Sequence, residues 1–124
     1  MEFYFSSPDD PPMPRHQVRI KELHAEPRPE EKKVRVTLQI SAFQERPSGD
    51  IRILNQRGDE LASLSFIETI SPRQQFTMHL RGEVLNPHQI QARLFYLPDQ
   101  ESPQDEDEEL KIQVVDEIRI ELIL

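Results

Sequence analysis

From Gln17 onward, apolar and polar residues alternate along the chain with a period of two, which places successive side chains on opposite faces of a pleated strand. Val34, Val36, Leu38, Ile40 and Ala42 alternate with Arg35, Thr37, Gln39 and Ser41, the mark of a strand buried on one face. Before it, Val18 and Ile20 alternate with Arg19 and Lys21. The phase then slips to Leu23 and Ala25, as a bulge allows. The pattern recurs at Ile51 and Ile53, at Leu64 and Phe66, at Phe76, Met78 and Leu80, and at Ala92, Leu94 and Tyr96. A last segment carries Ile112 and Val114, then Ile118, Ile120, Leu122 and Leu124, with a kink expected at Asp116-Glu117. Seven strands are expected.

Proline supplies an independent check, because it lacks the N–H that a ladder needs and is excluded from central strands. Pro27, Pro29, Pro47, Pro72, Pro87, Pro98 and Pro103 all fall between the apolar runs. Ser48-Gly49-Asp50, Asn55-Gln56-Arg57-Gly58-Asp59 and Asn86-Pro87-His88 supply turn chemistry between runs. Residues 59–70 are ambiguous, since Leu61, Leu64 and Ile67 have helical spacing and Asp59 could cap a helix. Ser63, Ser65 and Thr69 weigh against a helix, and Ala62, Leu64 and Phe66 fit a strand, which is the preferred reading.

Seven short antiparallel strands in one chain of 124 residues predict a single all-β domain, a two-layer antiparallel sandwich spanning residues 17–124. Residues 1–16 precede it as an extended arm with Pro8, Pro11, Pro12 and Pro14 and one aromatic cluster, Phe3-Tyr4-Phe5. The opening strand Val18-x-Ile20-x-x-Leu23-x-Ala25-x-Pro27, the second strand Val34-x-Val36-x-Leu38-x-Ile40 and the late Ala92-x-Leu94-x-Tyr96 carry a resemblance. It is to immunoglobulin-like modules of the fibronectin type III and bacterial adhesion-repeat kind. The resemblance implies an architecture and carries no functional residue with it. The sequence departs from those modules in having no tryptophan and no corner tyrosine before the sixth strand, where it reads Asn86-Pro87-His88-Gln89.

Charge changes the picture at one place only. The net charge is −8, yet residues 1–98 hold 13 acidic and 13 basic side chains, so the imbalance comes from the last 26 residues. Within them, the loop 99–109 has seven carboxylates and no cation, a composition that extends into water. An acidic balance disfavours a nucleic-acid partner, which requires cations on phosphate. Asp105, Asp107 and Glu109 alternate and are the one candidate Ca²⁺ set, though the loop lacks the glycine bend of an EF-hand, and Ca²⁺ is not expected. No apolar run is long enough to cross a bilayer as a helix, and the first residues do not read as a signal peptide, so a soluble cytoplasmic protein without a membrane partner is expected.

Catalytic signatures are sparse. There are no cysteines, and the three glycines, Gly49, Gly58 and Gly82, build no phosphate loop or nucleophile elbow. His16, His24, His79 and His88 form no close pair and are read as surface histidines. No cofactor is expected. Arg57-Gly58-Asp59 spells an adhesive tripeptide but reads as a turn that needs glycine.

The apolar ending Ile120, Leu122, Ile123 and Leu124 exceeds what one strand face buries. With Phe3, Tyr4 and Phe5, it is the candidate surface for a protein partner or a homodimer. The expected function is a non-enzymatic protein-binding or accessory module. The alternatives are a small metal-dependent or hydrolytic enzyme assembled from His24, His79, His88 and carboxylates, or an adhesion-type extracytoplasmic domain.

Overall fold

Val34, Val36, Leu38 and Ile40 are all at most 2% exposed, so the alternation of the central strand is the alternation of inside and outside. The computed structural model describes residues 11–97 and 112–124. Seven strands form where the period-two pattern lies: β1 Ile20–Arg28, β2 Lys33–Ile40, β3 Ser48–Leu54, β4 Glu60–Phe66, β5 Arg73–His79, β6 His88–Tyr96 and β7 Gln113–Leu122. They make two antiparallel sheets, one ordered β1-β2-β5 and the other β4-β3-β6-β7. The protein is therefore an all-β, two-layer sandwich.

The inward residues of both sheets join one apolar cluster that runs from Val18 to Leu122. Residues 59–70 contain a strand rather than a helix. Leu61, on which the helical spacing rested, is buried because a register shift opposite Ile53 and Leu54 turns it inward. Ile67 lies beyond the strand and is 61% exposed. The slip in β1 is present between Ile20 and Glu22. In β7 the irregularity falls one residue earlier than Asp116-Glu117, since Leu94 pairs with Asp116 and Phe95 with Val114, leaving Val115 as the extra residue.

Pro27 departs from the expectation that prolines lie between strands, for it sits inside β1 opposite Val34. The reason is that β1 is an edge strand, where the missing N–H faces away from the ladder.

Gly49 shows why one position in β3 is bare. The ring of its cross-strand partner Phe66 lies over it, and any Cβ at Gly49 would collide with that ring and with the Arg93 carbonyl. Phe66 in turn stacks on Phe76 of the other sheet, with ring centroids 6.0 Å apart and planes 12° apart. This pair ties β4 to β5 where the layers meet. Replacing Gly49→Ala displaces Phe66, and urea unfolding should show a loss of about 1–3 kcal/mol. A midpoint unchanged from the parent protein would refute the packing role of that contact.

Candidate functional site

Register fixes which loops share an end. Ile40, Ser48, Phe66, Arg73, Tyr96 and Gln113 close or open their strands at one end of the sandwich. The β2–β3 and β4–β5 loops meet there. At the other end lie the β1–β2, β3–β4 and β5–β6 turns together with Leu124.

At the first end, the β4–β5 loop is pinned by its backbone. The Glu68 N–H donates to Ser48 Oγ at 3.0 Å and the Thr69 N–H to the Pro47 carbonyl at 2.9 Å. Ile40 N–H donates to the Pro72 carbonyl at 2.8 Å. Thr69 Oγ1 closes the loop on itself, donating to the Ser71 carbonyl at 3.1 Å and accepting from the Gln74 amide. Glu68 is held at φ 45°, in the left-handed region that costs a residue with a Cβ about 1–2 kcal/mol. On either side of it, Ile67 and Ile70 are 61% and 65% exposed. The loop spends backbone hydrogen bonds and strain on holding two large apolar side chains in water.

The same end receives residues 11–18. Met13 bridges Phe43, its N–H donating to the Ala42 carbonyl at 2.9 Å. Arg15 pairs with Glu45 at 3.0 Å and lies 4.7 Å from the centroid of the Tyr96 ring. The Tyr96 hydroxyl donates to the Glu45 carbonyl at 2.8 Å, and its burial pushes its pKa up to about 12. Docking to the body thus begins inside the segment expected to be arm.

At the opposite end, His88 corrects the reading of all four histidines as surface groups. It is 1% exposed. Its Nε2 accepts the Leu85 N–H at 3.3 Å, which leaves the proton on Nδ1, 2.9 Å from Asn86 Oδ1. Asn86 also clasps Leu124, accepting from its N–H and donating to its carbonyl, both at 2.8 Å. The signal was legible: His88 is in phase with Ile90, Ala92, Leu94 and Tyr96, the inward residues of β6. His16, His24 and His79 are exposed. The histidines do not converge. His24 lies opposite Thr37, whose β5 partner is Gln75, four residues from His79, and His88 belongs to the other sheet.

Asp105, Asp107, Glu109, Phe3, Tyr4 and Phe5 lie outside the described residues. Among the described residues, no group of three or more His, Cys, Asp or Glu could hold a metal. Of the apolar candidates in the last strand, Leu122 is buried, Ile120 and Leu124 pack half-buried against the core, and Ile123 is 58% exposed. The Arg57-Gly58-Asp59 turn is built by Asn55, whose Oδ1 accepts the N–H groups of Arg57 and Asp59, with Gly58 at φ 87°. A groove of about 460 Å³ runs along the β4–β5 seam, lined by Leu61, Leu64, Thr77, Met78, His79 and Arg81. No helix among the described residues is long and apolar enough to cross a membrane.

No family model matches the chain, and no curated protein matches it. Solved structures that resemble it include a β-glucuronidase from Ruminococcus gnavus, in complex with D-glucuronic acid and in its apo form, each with TM-score 0.43 and 16% identity. Each match covers 85% of this chain and 16% of the enzyme chain, so this chain spans about one sixth of the length of those structures. No activity follows for this protein from that likeness.

Desolvation lowers the pKa of His88, only partly offset by a hydrogen bond with the backbone of Leu122. The folded state therefore binds the proton less readily than the unfolded chain. The stability this confers is present above the ordinary histidine value of about 6.5 and is lost as pH falls through the lower folded value. Thermal denaturation followed from pH 7.5 to 5 should show a fall in Tm on acidification that is shallower in His88→Leu. Equal slopes in the two proteins would refute the assignment.

Proposed function

We propose that this chain is a non-enzymatic binding module of the immunoglobulin-like, fibronectin type III kind that engages an apolar protein surface through its β4–β5 loop. The strand partition supports the module reading. Relative to an immunoglobulin constant-type domain, with four strands in the first layer and three in the second, the fourth strand here has moved to the other layer, beside the third. Such sandwiches carry their recognition on end loops supported by a rigid body.

The observation that carries the binding reading is the pinned display of Ile67 and Ile70. Exposed apolar side chains on a loose loop would fold back; here Ser48 Oγ, the Pro47 carbonyl and the strained Glu68 hold them outward. Preorganisation removes the ordering cost that a mobile loop would pay on binding. The positive φ of Glu68, in a loop already held by these hydrogen bonds, supports the same reading.

A photo-crosslinking residue placed at Ile67 or Ile70 in the native cell should give an adduct of one defined mass. That adduct should be lost when the neighbouring isoleucine is changed to Asp. The same probe at Arg57, at the far end, should give none. Equal labelling from both ends, or no adduct at all, would rule out this surface.

A further inference from the structure

β7 ends its sheet, so among the described residues no strand lies along its outer edge. The upper part of that edge is nevertheless occupied by β1. Arg19 Nη1 donates to the Val115 carbonyl at 3.2 Å, and Asp116 Oδ2 accepts the Ile20 N–H at 2.8 Å. At the lower end Asn86 fixes Leu124. Between these anchors lies the stretch Glu117 to Ile123, with Ile120 at its midpoint.

The Glu117 N–H donates to Asp116 Oδ1 at 2.9 Å, on the carboxylate that caps β1, and so points away from β6. By the two-residue repeat, Arg119 and Glu121 direct their main-chain groups the same way. Beyond the pairing with β6, no described residue bonds to those groups, and neither Arg119 nor Glu121 has an ion-pair partner among the described residues. Their side chains lie on the outer face, opposite Gln91 and Gln89, while Ile118, Ile120 and Leu122 face inward.

We infer that this stretch pairs antiparallel with the same stretch of a second copy of the chain, about a two-fold axis at Ile120. In that register Arg119 faces Glu121 of the other copy twice over, and each such pair exchanges main-chain hydrogen bonds. Ile120 meets its own equivalent and Ile118 meets Leu122, which continues the inner face across the junction. Ile123, 58% exposed, falls opposite the stem of Glu117. The neighbouring registers fail. An axis at Arg119 sets Arg against Arg and Glu against Glu, and an axis at Ile118 draws Val115 and Asp116, already held by β1, into the pairing. The occupant is a second copy because the Glu-x-Arg-x-Glu pattern complements itself antiparallel; of the two registers that do so, about Ile118 and about Ile120, only the second spares the residues held by Arg19 and Ile20. The charges on this edge attract those of a copy of it in that register rather than repelling them. The resulting assembly joins two four-stranded layers into one of eight strands and leaves the β4–β5 loops free for the binding proposed above.

The test is sedimentation velocity on the full chain across a concentration series. The parent protein should show a reversible dimer, with the amides of Arg119 and Glu121 slowed in hydrogen exchange as it forms. Arg119→Glu should weaken it about tenfold or more. Arg119→Glu combined with Glu121→Arg should restore it, because the pairs re-form with signs exchanged, while Arg119→Glu with Glu117→Arg should not. Circular dichroism should be the same for all four proteins. A parent protein that stays monomeric, a dimer indifferent to Arg119→Glu, or rescue by Glu117→Arg would each overturn the inference. None of these outcomes bears on the crosslinks from Ile67 and Ile70.

Discussion

Val36 of the three-stranded layer and Ile51, Ala92 and Leu94 of the four-stranded layer belong to one continuous apolar cluster, each at most 1% exposed. Removing these side chains from water at about 25 cal/mol per Å² of apolar surface is the driving term that two thin sheets share. Neither layer has an interior of its own. Every other feature is positioned by that contact: the phase of each strand, the placement of its bulges, and which side chains are left for the solvent.

With the inner faces committed to each other, the fold presents its ends, its edges and its outer faces to the surroundings. At one end the β2–β3 and β4–β5 loops are bonded to each other, so Ile67 and Ile70 are presented by a rigid body rather than by a tether. The opposite end is closed by polar groups, Asn55 in one turn and Asn86 and His88 beside Leu124, although Val84 there is 47% exposed. That the apolar display and the polar closure sit at opposite ends follows from topology, since the β3–β4 turn and the β4–β5 loop cannot share an end.

The edges divide in the same way. At the β4–β5 seam the stacked Phe66 and Phe76 join the layers over Gly49. At the β1–β7 seam the layers touch through Arg19, Ile20, Val115 and Asp116, and the outer edge of the lower half of β7 has no neighbour among the described residues. Val115, the extra residue in β7, bends the strand so that its carbonyl reaches Arg19. A bulge that an isolated strand would not need thus decides how much of the edge stays open.

The alternation of apolar and polar residues determined the number of strands, their faces and most of the core, because burial on one face imposes a period of two wherever a strand lies. It also held the position of His88, in phase with Ile90 and Ala92, although a histidine's polarity argues for the surface. Its burial is possible only because Leu85 and Asn86 supply partners. What periodicity does not contain is pairing. That β4 joins β3 rather than β5, that Pro27 rests on an edge, and that Glu68 is strained between two exposed isoleucines all depend on contacts between residues distant in the chain. Local pattern states which way a side chain turns, whereas only the packed sheets decide what it turns toward.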